Sequence, residues 1–506
     1  MNKRNRQILT LLLCTLLVQW LVVLNAGGIA FLADGTRGAL LGLYRSVFPK
    51  SSFTIVGTVE RRDHTAVYRN LPPGFIHCGR TLLFQAPRDM RLKEIADAAL
   101  RYTHFFRRYQ LERTIKEYNA FRNDSVPKDT VVYIPYSISP RIPAFTRTAK
   151  PPIIESRGLY YTGGAIASEK TLVSLERFLA AGINTVVFDA KDITGIVNYR
   201  SHVPAAIEHN THEKRCIDDI DKLIRYLRDR GVYVIARIAV FHDHALYRKK
   251  PEYAIRSKST GKPWSAGSEL WCDPTNKHVQ DYNIALALEL AEKGVDEIQF
   301  DYIRFPTSGN LGDAAYARHF GPMSKEATIT GFLQRAHAEL AARHVNLSVD
   351  IFGVVAWGKE IDIRQTGQRI EQLAKHCEVI SPMLYPSHFN DHFDGHANPG
   401  DQPYYFINRG CARVKAMAPQ TTVRPWLQAF RWRTKAYNDD YILEQMRGAV
   451  DAGAKGYLFW NASNSYDPVY EAMQRLTANE KRKYAERGRK QDRKSTRLNS
   501  SHVSES

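Results

Sequence analysis

The sequence predicts an α/β protein whose main domain is a (β/α)8 TIM barrel. A small N-terminal α+β unit and an apolar N-terminal segment precede the barrel. Two observations predict the barrel. Between residues 158 and 477, eight strand-like runs alternate with eight helical patterns. Several of those patterns stop at a glycine, as at Gly182, Gly231 and Gly294. Eight strands that are each followed by a helix form this barrel.

The predicted strands are short apolar runs rich in β-branched and aromatic residues. They cover Gly158–Thr162, Thr185–Asp189, Tyr233–Val240, Glu297–Tyr302, Leu347–Phe352, Val379–Tyr385, Thr422–Gln428 and Gly456–Asn461. The helical patterns that follow them cover Glu169–Ala181, Ile217–Arg230, Val279–Lys293, Lys325–Arg343, Gly367–His376, Tyr404–Met417, Asp440–Ala452 and Pro468–Leu476.

Residues 1–33 have the pattern of a signal anchor or a signal peptide. Lys3, Arg4 and Arg6 precede about 25 mostly apolar residues, a length that can span a bilayer. Cleavage near Ala26 would give a secreted or periplasmic protein. The long apolar region favours an uncleaved anchor with its basic end in the cytoplasm and the barrel outside. We therefore expect a membrane partner and a cell-envelope location.

Residues 50–137 form a separate small unit, with strands at Thr81–Phe84 and Val131–Ile134 and helix-forming residues between Leu92 and Tyr118. Within it, Ile115–Pro135 (IKEYNAFRNDSVPKDTVVYIP) resembles the second half of a LysM domain. That resemblance implies binding to N-acetylglucosamine polymers such as peptidoglycan or chitin. The alternative is a spacer without a ligand.

The segments on either side of the barrel lack the pattern of a folded domain. Residues 138–157 hold four prolines and predict a stiff linker. Residues 478–506 are charged, lack apolar periodicity and are expected to be disordered. The stretch from Arg493 resembles translated sequencing-adapter read-through, so it has no part in the functional interpretation.

The charge distribution argues against nucleic acid as a partner. The whole chain carries a formal charge of +19, but residues 151–476 hold 39 Lys and Arg against 38 Asp and Glu. The basic excess therefore lies in the flanks and suits an acidic surface such as a membrane or cell wall. Six cysteines form no CxxC pair and no zinc-type spacing, so we expect neither a structural metal nor a cofactor.

Strand alternation selects the residues that face the barrel mouth, where the chemistry of such barrels lies. At the C-terminal strand ends it selects three carboxylates, an arginine and several aromatic residues. Ionisable groups clustered in a barrel interior are costly unless they serve a site. A structural ion pair between Asp189 and Arg237 is the alternative. The selected residues are Val187 and Asp189, Ile235 and Arg237, Gln299 and Asp301, Ser348 and Asp350, Met383 and Tyr385, Trp426 and Gln428, and Trp460.

Several motifs of the barrel carry a family resemblance: GLYYTGG, VVFDAKD, FDYIRFP, VDIFG, SPMLYPSHF and YLFWNAS. From Gly158 to about Leu476 the chain resembles a family of glycoside hydrolase-like barrels of unknown function, distantly related to α-galactosidase and chitinase-type barrels. The resemblance implies that Asp301, at the end of the fourth strand, is catalytic. Ile303 stands where the chitinase-type motif has its acid, which argues against the substrate-assisted chitinase mechanism.

Cleavage of a glycosidic bond needs two carboxyl groups. Asp301 is the first candidate and Asp350 the preferred partner, ahead of Asp189; Asp391 and Asp394, after the sixth strand, are further options. Arg237 and Arg304 are expected to keep Asp301 ionised. The remaining predicted substrate-binding residues are Tyr385, Trp426 and Trp460, which would stack on sugars, and Gln428 and Asn461, which would bind hydroxyl groups.

The sequence thus predicts an exported glycoside hydrolase that acts on a cell-wall or exopolysaccharide glycan. One alternative is a catalytically inactive barrel that binds glycan or scaffolds an envelope complex. Another is a metal-dependent deacetylase, for which the candidate ligands would be His242, His244, His388 and His392.

Overall fold

The computed structural model describes residues 73–78, 81–103, 105, 108–135, 147–316 and 324–476. The apolar segment 1–33, the start of the small unit, part of the linker and the tail 478–506 lie outside these ranges. Expectations about those segments therefore stay predictions. Among the described helices, none has the length and apolar character needed to cross a bilayer.

Eight parallel strands close into a barrel, as the strand–helix alternation predicted. They are β1 Ser156–Tyr161, β2 Thr185–Lys191, β3 Tyr233–Ala239, β4 Glu297–Asp301, β5 Asn346–Phe352, β6 Val379–Met383, β7 Thr422–Val423 and Trp426–Gln428, and β8 Gly456–Trp460. Each pairs with its neighbours, and β8 pairs with β1 to complete the ring. β7 is divided at Pro425, because proline has no N–H to donate to the ladder.

Helices surround the barrel and bury its outer face. The longer ones are α1 Glu169–Ala180, α2 Ile220–Arg228, α3 Lys277–Glu292, α4 Lys325–Ala341, α5 Pro403–Met417 and α6 Asp439–Asp451, and a last helix covers 467–476. Five of them begin at a side chain that accepts a backbone N–H of the first turn, a standard N-terminal cap. These caps are Ser168, Asp219, Asn276, Ser324 and Asn438.

The helical region after β5 differs from the predicted single helix Gly367–His376. A helix over Glu360–Thr366 ends at Gly367, and only short turns, Ile370–Leu373 and Ala374–His376, follow it. Gly367 has a φ of +78°, and a Cβ there would lie 2.9 Å from the Lys325 carbonyl oxygen. The left-handed backbone at this glycine therefore ends one helix where the sequence pattern predicted the start of another.

The barrel interior is filled by side chains of alternate strand residues. Tyr160, Val187, Ile235 and Leu458 pack together inside the barrel. Below them Arg424 donates two hydrogen bonds to Glu297, and both side chains are fully buried. The lower barrel is therefore closed, and only its C-terminal end is left for a site.

The N-terminal unit has its own core. Strands Phe75–Cys78, Thr81–Gln85 and Val131–Pro135 form an antiparallel sheet, and helices Leu92–Ala99 and Arg108–Tyr118 lie between the last two strands in sequence. The buried Asn119 side chain bonds both the N–H and the carbonyl of Tyr133 and so joins the second helix to the last strand. Identity with a LysM domain stays a prediction.

The seam between β8 and β1 should depend on Gly456. Its φ is +84°, and a Cβ would lie 2.0 Å from the Ser156 carbonyl oxygen, whereas Gly231, with φ +71°, has nothing within 4 Å. We expect Gly231→Ala to lower the free energy of unfolding by about 1 kcal/mol, from backbone strain alone. Gly456→Ala should cost about 3 kcal/mol or more because the seam must also move. Equal losses in a denaturant titration would contradict this account.

Candidate functional site

Arg237 lies at the centre of a buried carboxylate cluster at the C-terminal end of the barrel. Its Nη1 donates to Asp189 Oδ1 at 2.5 Å, and its Nη2 donates to Asp301 Oδ2 at 2.6 Å. Its Nε donates to the same Asp301 oxygen at 3.2 Å and lies 3.9 Å from Asp350 Oδ2. The structure therefore gathers the three predicted carboxylates around the predicted arginine.

Strand register explains this convergence. Asp189 on β2 and Gln299 on β4 are both paired with Arg237 on β3, so Asp301 stands one inward-facing position further along β4. The next residue, Tyr302, has a φ of +53°, and its N–H donates to Asp301 Oδ1 at 2.5 Å. A non-glycine residue with positive φ is strained. This turn holds the Asp301 carboxylate from its backbone side while Arg237 holds it from the other.

Asp350 is the most deeply buried carboxyl group of the cluster. Burial, with the nearby charge of Asp301, raises the pKa of Asp350 well above its usual range. The Trp426 indole N–H donates to its Oδ1 at 2.8 Å, and its Oδ2 has no hydrogen-bond partner. Arg237 Nε lies 3.9 Å from Asp350 Oδ2 and 3.2 Å from Asp301 Oδ2. These two carboxyl oxygens are therefore at most about 7 Å apart.

Asp189 forms the far side of the cluster. The Tyr160 hydroxyl donates to its Oδ2 at 2.5 Å, opposite the Arg237 contact. Burial raises the pKa of Asp189 to about 6, and the Arg237 guanidinium limits that rise. Tyr160 also packs on Trp460, with ring centroids 4.0 Å apart. Asp189 is therefore part of the structural floor, as the ion-pair alternative proposed.

A cavity of about 530 Å³ lies above this floor. Six of the ten predicted site residues line it: Arg237, Asp301, Arg304, Tyr385, Trp426 and Trp460. Asp189 and Asp350 lie beneath its wall and are not among the lining residues. Asp301 is thus the carboxylate that connects the buried cluster with the space in which a ligand would bind.

Gln428 and Asn461 lie near the cavity but hold loops together. The Gln428 side chain accepts from the Ser387 N–H and donates to the Phe430 and Trp432 carbonyls. The Asn461 side chain donates to the Ala429 and Ser465 carbonyls. Both amides are therefore occupied, and neither residue lines the cavity.

Arg304, which was expected to keep Asp301 ionised, forms no ion pair with it, although the two charges interact at longer range. Its guanidinium carbon lies 4.9 Å from the ring centroids of both Trp271 and Phe352, so the side chain runs between two aromatic residues. Arg237 alone forms the ion pair with Asp301 among the residues the structure describes.

Of the alternative acidic and histidine residues, His388 lines the cavity and the others do not. Asp391 pairs with Arg433, and Asp394 accepts hydrogen bonds from the Trp357 indole and the Tyr405 hydroxyl; neither aspartate lines the cavity. His388 lines the cavity, and the Nε2 atoms of His242 and His244 are 3.1 Å apart; His392 is in a left-handed turn. Over the described ranges, no three His, Cys, Asp or Glu side chains are grouped to hold a metal ion.

Asp362 is a carboxyl group that the sequence interpretation missed. It lies in the helix Glu360–Thr366 after β5, lines the same cavity as Asp301, and is only partly buried. Burial raises its pKa, and the nearby Lys359 opposes that rise. Strand alternation could not select a residue on a loop helix; the available signal was an acidic side chain close after a strand end.

Comparison with known families accounts for most of the barrel. Residues 158–466 match the family described as "Putative glycosyl hydrolase domain". The chain belongs to this family. This finding, with the closed barrel, confirms the coarser part of the resemblance, namely a glycosyl hydrolase-type barrel domain. A comparison with the curated proteins found no match.

Solved structures that are similar to the chain include glycoside hydrolases. A hypothetical protein from Ruminiclostridium thermocellum ATCC 27405 is 37% identical over 38% of this chain and 96% of its own, with a TM-score of 0.34. The PgaB (BpsB) glycoside hydrolase domain from Bordetella bronchiseptica is 15% identical over 63% and 98%, with a TM-score of 0.47. A chitinase from Chromobacterium violaceum ATCC 12472 is 13% identical over 63% and 99%, with a TM-score of 0.39.

Asp350 should make stability depend on pH. Because its pKa is raised in the folded chain, folding retains a proton that the unfolded chain releases above about pH 4. Wild-type stability then falls as pH rises towards the folded pKa, by up to about 1.4 kcal/mol per pH unit. Asp350→Asn keeps an acceptor for the Trp426 indole N–H, but its side chain does not titrate, so its stability should not show this fall with pH. The difference in unfolding free energy, variant minus wild type, should grow between pH 5 and 8. A constant difference would contradict the assignment.

Proposed function

We propose that this protein is a glycoside hydrolase that cleaves a cell-wall or exopolysaccharide glycan with two carboxyl groups. The observation that carries the proposal is the position of Asp301, which ends β4 and reaches a cavity walled by aromatic side chains. Aromatic rings present flat apolar faces with polar edges, a surface on which sugar rings can stack. Membership of the glycosyl hydrolase family supports the same reaction class.

Asp301 would act as the ionised carboxylate of the pair. Two guanidinium N–H groups and one backbone N–H donate to its oxygens and hold the carboxyl group in a fixed orientation. An ionised carboxylate can attack the anomeric carbon or activate a water molecule. The neighbouring Arg237 remains paired with Asp189 throughout, so the site keeps a fixed positive group beneath the reacting atoms.

Asp350 and Asp362 are the two candidates for the second carboxyl group, which must be protonated. The separation of at most about 7 Å between the oxygens of Asp350 and Asp301 lies within the range that glycosidases use, about 5 to 9.5 Å. A general acid must, however, come within about 3 Å of the leaving oxygen. Asp362 lines the cavity and Asp350 does not. We therefore assign the role of proton donor to Asp362. Asp350 instead holds the Trp426 ring in place by accepting its indole N–H.

The aromatic residues would define the sugar subsites. Trp460 packs against Tyr160, and Trp426 is held by its bond to Asp350, so both rings are fixed before a ligand binds. Tyr385, which follows the neighbouring strand β6, packs edge-on against His388 and Phe430 and shares a cluster with Trp426 and Trp460. Rigid walls of this kind reduce the entropy cost of binding a flexible polysaccharide.

The catalytic assignment is tested by new reducing ends released from peptidoglycan, partially deacetylated glycan and bacterial exopolysaccharides. Asp301→Asn and Asp362→Asn should each lower the rate about 10²-fold or more. Asp391→Asn removes an exposed carboxylate away from the cavity and should leave the rate unchanged. Because the acid must be protonated, Asp362→Asn should also remove the fall in rate on the alkaline side of the pH profile.

Two outcomes would contradict the assignment. If Asp301→Asn keeps more than about a tenth of the wild-type rate, Asp301 is not catalytic. If no glycan of the panel is cleaved but several are bound, the barrel is the catalytically inactive glycan-binding protein of the alternative reading.

We also propose that residues 1–33 attach the chain to the inner membrane, with the barrel outside the cytoplasm, and that residues 50–137 bind glycan in the manner of a LysM domain. In fractionated cells the full chain should then stay with the envelope in about 1 M salt, which screens surface charge. Detergent should release it from the membrane, and the released chain should be retained on insoluble peptidoglycan. Release of the chain by salt alone would contradict the membrane anchor. Retention on peptidoglycan no better than that of an unrelated basic protein would contradict glycan binding by residues 50–137.

A further inference from the structure

Arg304 differs from the other buried arginines of the described chain. Among the described arginines, Arg237, Arg304 and Arg424 are the most deeply buried, with 4%, 8% and 0% of their surface exposed. Arg237 pairs with Asp189 and Asp301, and Arg424 pairs with Glu297. In the described part of the chain, no carboxylate oxygen lies within 4.0 Å of the Arg304 guanidinium. A buried cation without an anion is costly, and proteins rarely keep one without a use.

The contacts of Arg304 fix its orientation and leave hydrogen-bonding capacity. Its Nη1 donates to the Phe305 carbonyl at 3.2 Å and to Thr307 Oγ1 at 3.4 Å. Its Nε and Nη2 form no hydrogen bond with the residues the structure describes. Trp271 and Phe352 hold the guanidinium between them. A guanidinium has five N–H donors in a rigid fork, so two nitrogens of Arg304 remain for a ligand.

Arg304 and Asp301 line the same cavity. The two residues are three positions apart, at the end of β4 and in the loop after it, so an anion bound at Arg304 would lie beside the proposed cleavage point. Burial lowers the pKa of Arg304, and the charges of Asp301 and Glu269, neither of which forms an ion pair with it, oppose that change. A carboxylate would supply the missing charge and accept two parallel hydrogen bonds.

We propose that Arg304 forms a subsite for a carboxylate-bearing sugar, so that the substrate is an acidic glycan. This inference rests on the proposed function for its position beside the cleavage point. The carboxylate could belong to a uronic acid or to the lactyl ether of a muramic acid that carries no stem peptide. Both present the same planar anion to the guanidinium, and the arms of the test distinguish them.

The test measures affinity of the full chain by titration calorimetry for two acidic oligosaccharides, one built from uronic acid and one from a peptidoglycan glycan strand whose stem peptides have been removed. Each is compared with its carboxyl-reduced counterpart. The wild type should bind at least one acidic form about 10- to 100-fold more tightly than the reduced form. Arg304→Met, which keeps an apolar chain between the two rings, should bring that ratio close to one, and Arg304→Lys should restore part of it.

Arg364→Gln is the matched control, because Arg364 is exposed, lies on the helix Glu360–Thr366 after β5 and pairs with Glu360. It should keep the wild-type ratio, and unfolding curves should show that all variants are folded. Equal affinity of the wild type for acidic and reduced forms, or a ratio unchanged in Arg304→Met, overturns the inference. Reducing ends counted in the same samples report hydrolysis separately. If the chain prefers the acidic to the reduced oligosaccharide but cleaves neither, only the proposed function is contradicted. If it cleaves an oligosaccharide without that preference, only the acidic subsite is contradicted.

Discussion

The ion-pair cluster around Arg237 is the interaction on which the upper half of the barrel depends. One guanidinium on β3 contacts carboxyl groups from β2, β4 and β5, and so ties four adjacent strands together at their C-terminal ends. A single positive charge cannot balance three negative charges in a buried site. A proton held on Asp350, whose pKa is raised by burial and by Asp301, reduces the imbalance to two negative charges against one positive charge.

This balance separates the roles of carboxyl groups that look alike in the sequence. Asp301 receives two bonds from Arg237 and reaches the cavity, whereas Asp189 is enclosed by Arg237 and Tyr160. Asp350 supports the Trp426 ring through its indole N–H. The cluster therefore supplies a rigid floor with one exposed carboxylate, and the second reactive group has to come from a loop. Asp362 meets that requirement by lining the same cavity.

Strand residues of the site could be predicted from the sequence, because alternation along a strand fixes which side chains face inwards. Asp301 and Arg237 were found in this way, whereas the number of strands came from the alternation of strand-like runs with helical patterns. The same rule gives no information beyond a strand end. Arg304 was expected to keep Asp301 ionised, yet it forms no ion pair with that residue, and its guanidinium lies between Trp271 in a loop and Phe352 at the end of β5. The helix boundary at Gly367 depended on a left-handed backbone conformation that apolar periodicity does not report.

The central claim is that a glycosidic bond is positioned over Asp301 in this cavity. The most direct measurement is a crystal structure of the Asp301→Asn chain with an oligosaccharide that the wild type cleaves or binds. The account predicts sugar rings against Trp426 or Trp460, with a glycosidic oxygen within about 3.2 Å of the Asp362 carboxyl group. A sugar bound outside the cavity, or one with its linkages out of reach of residues 301 and 362, would contradict the claim.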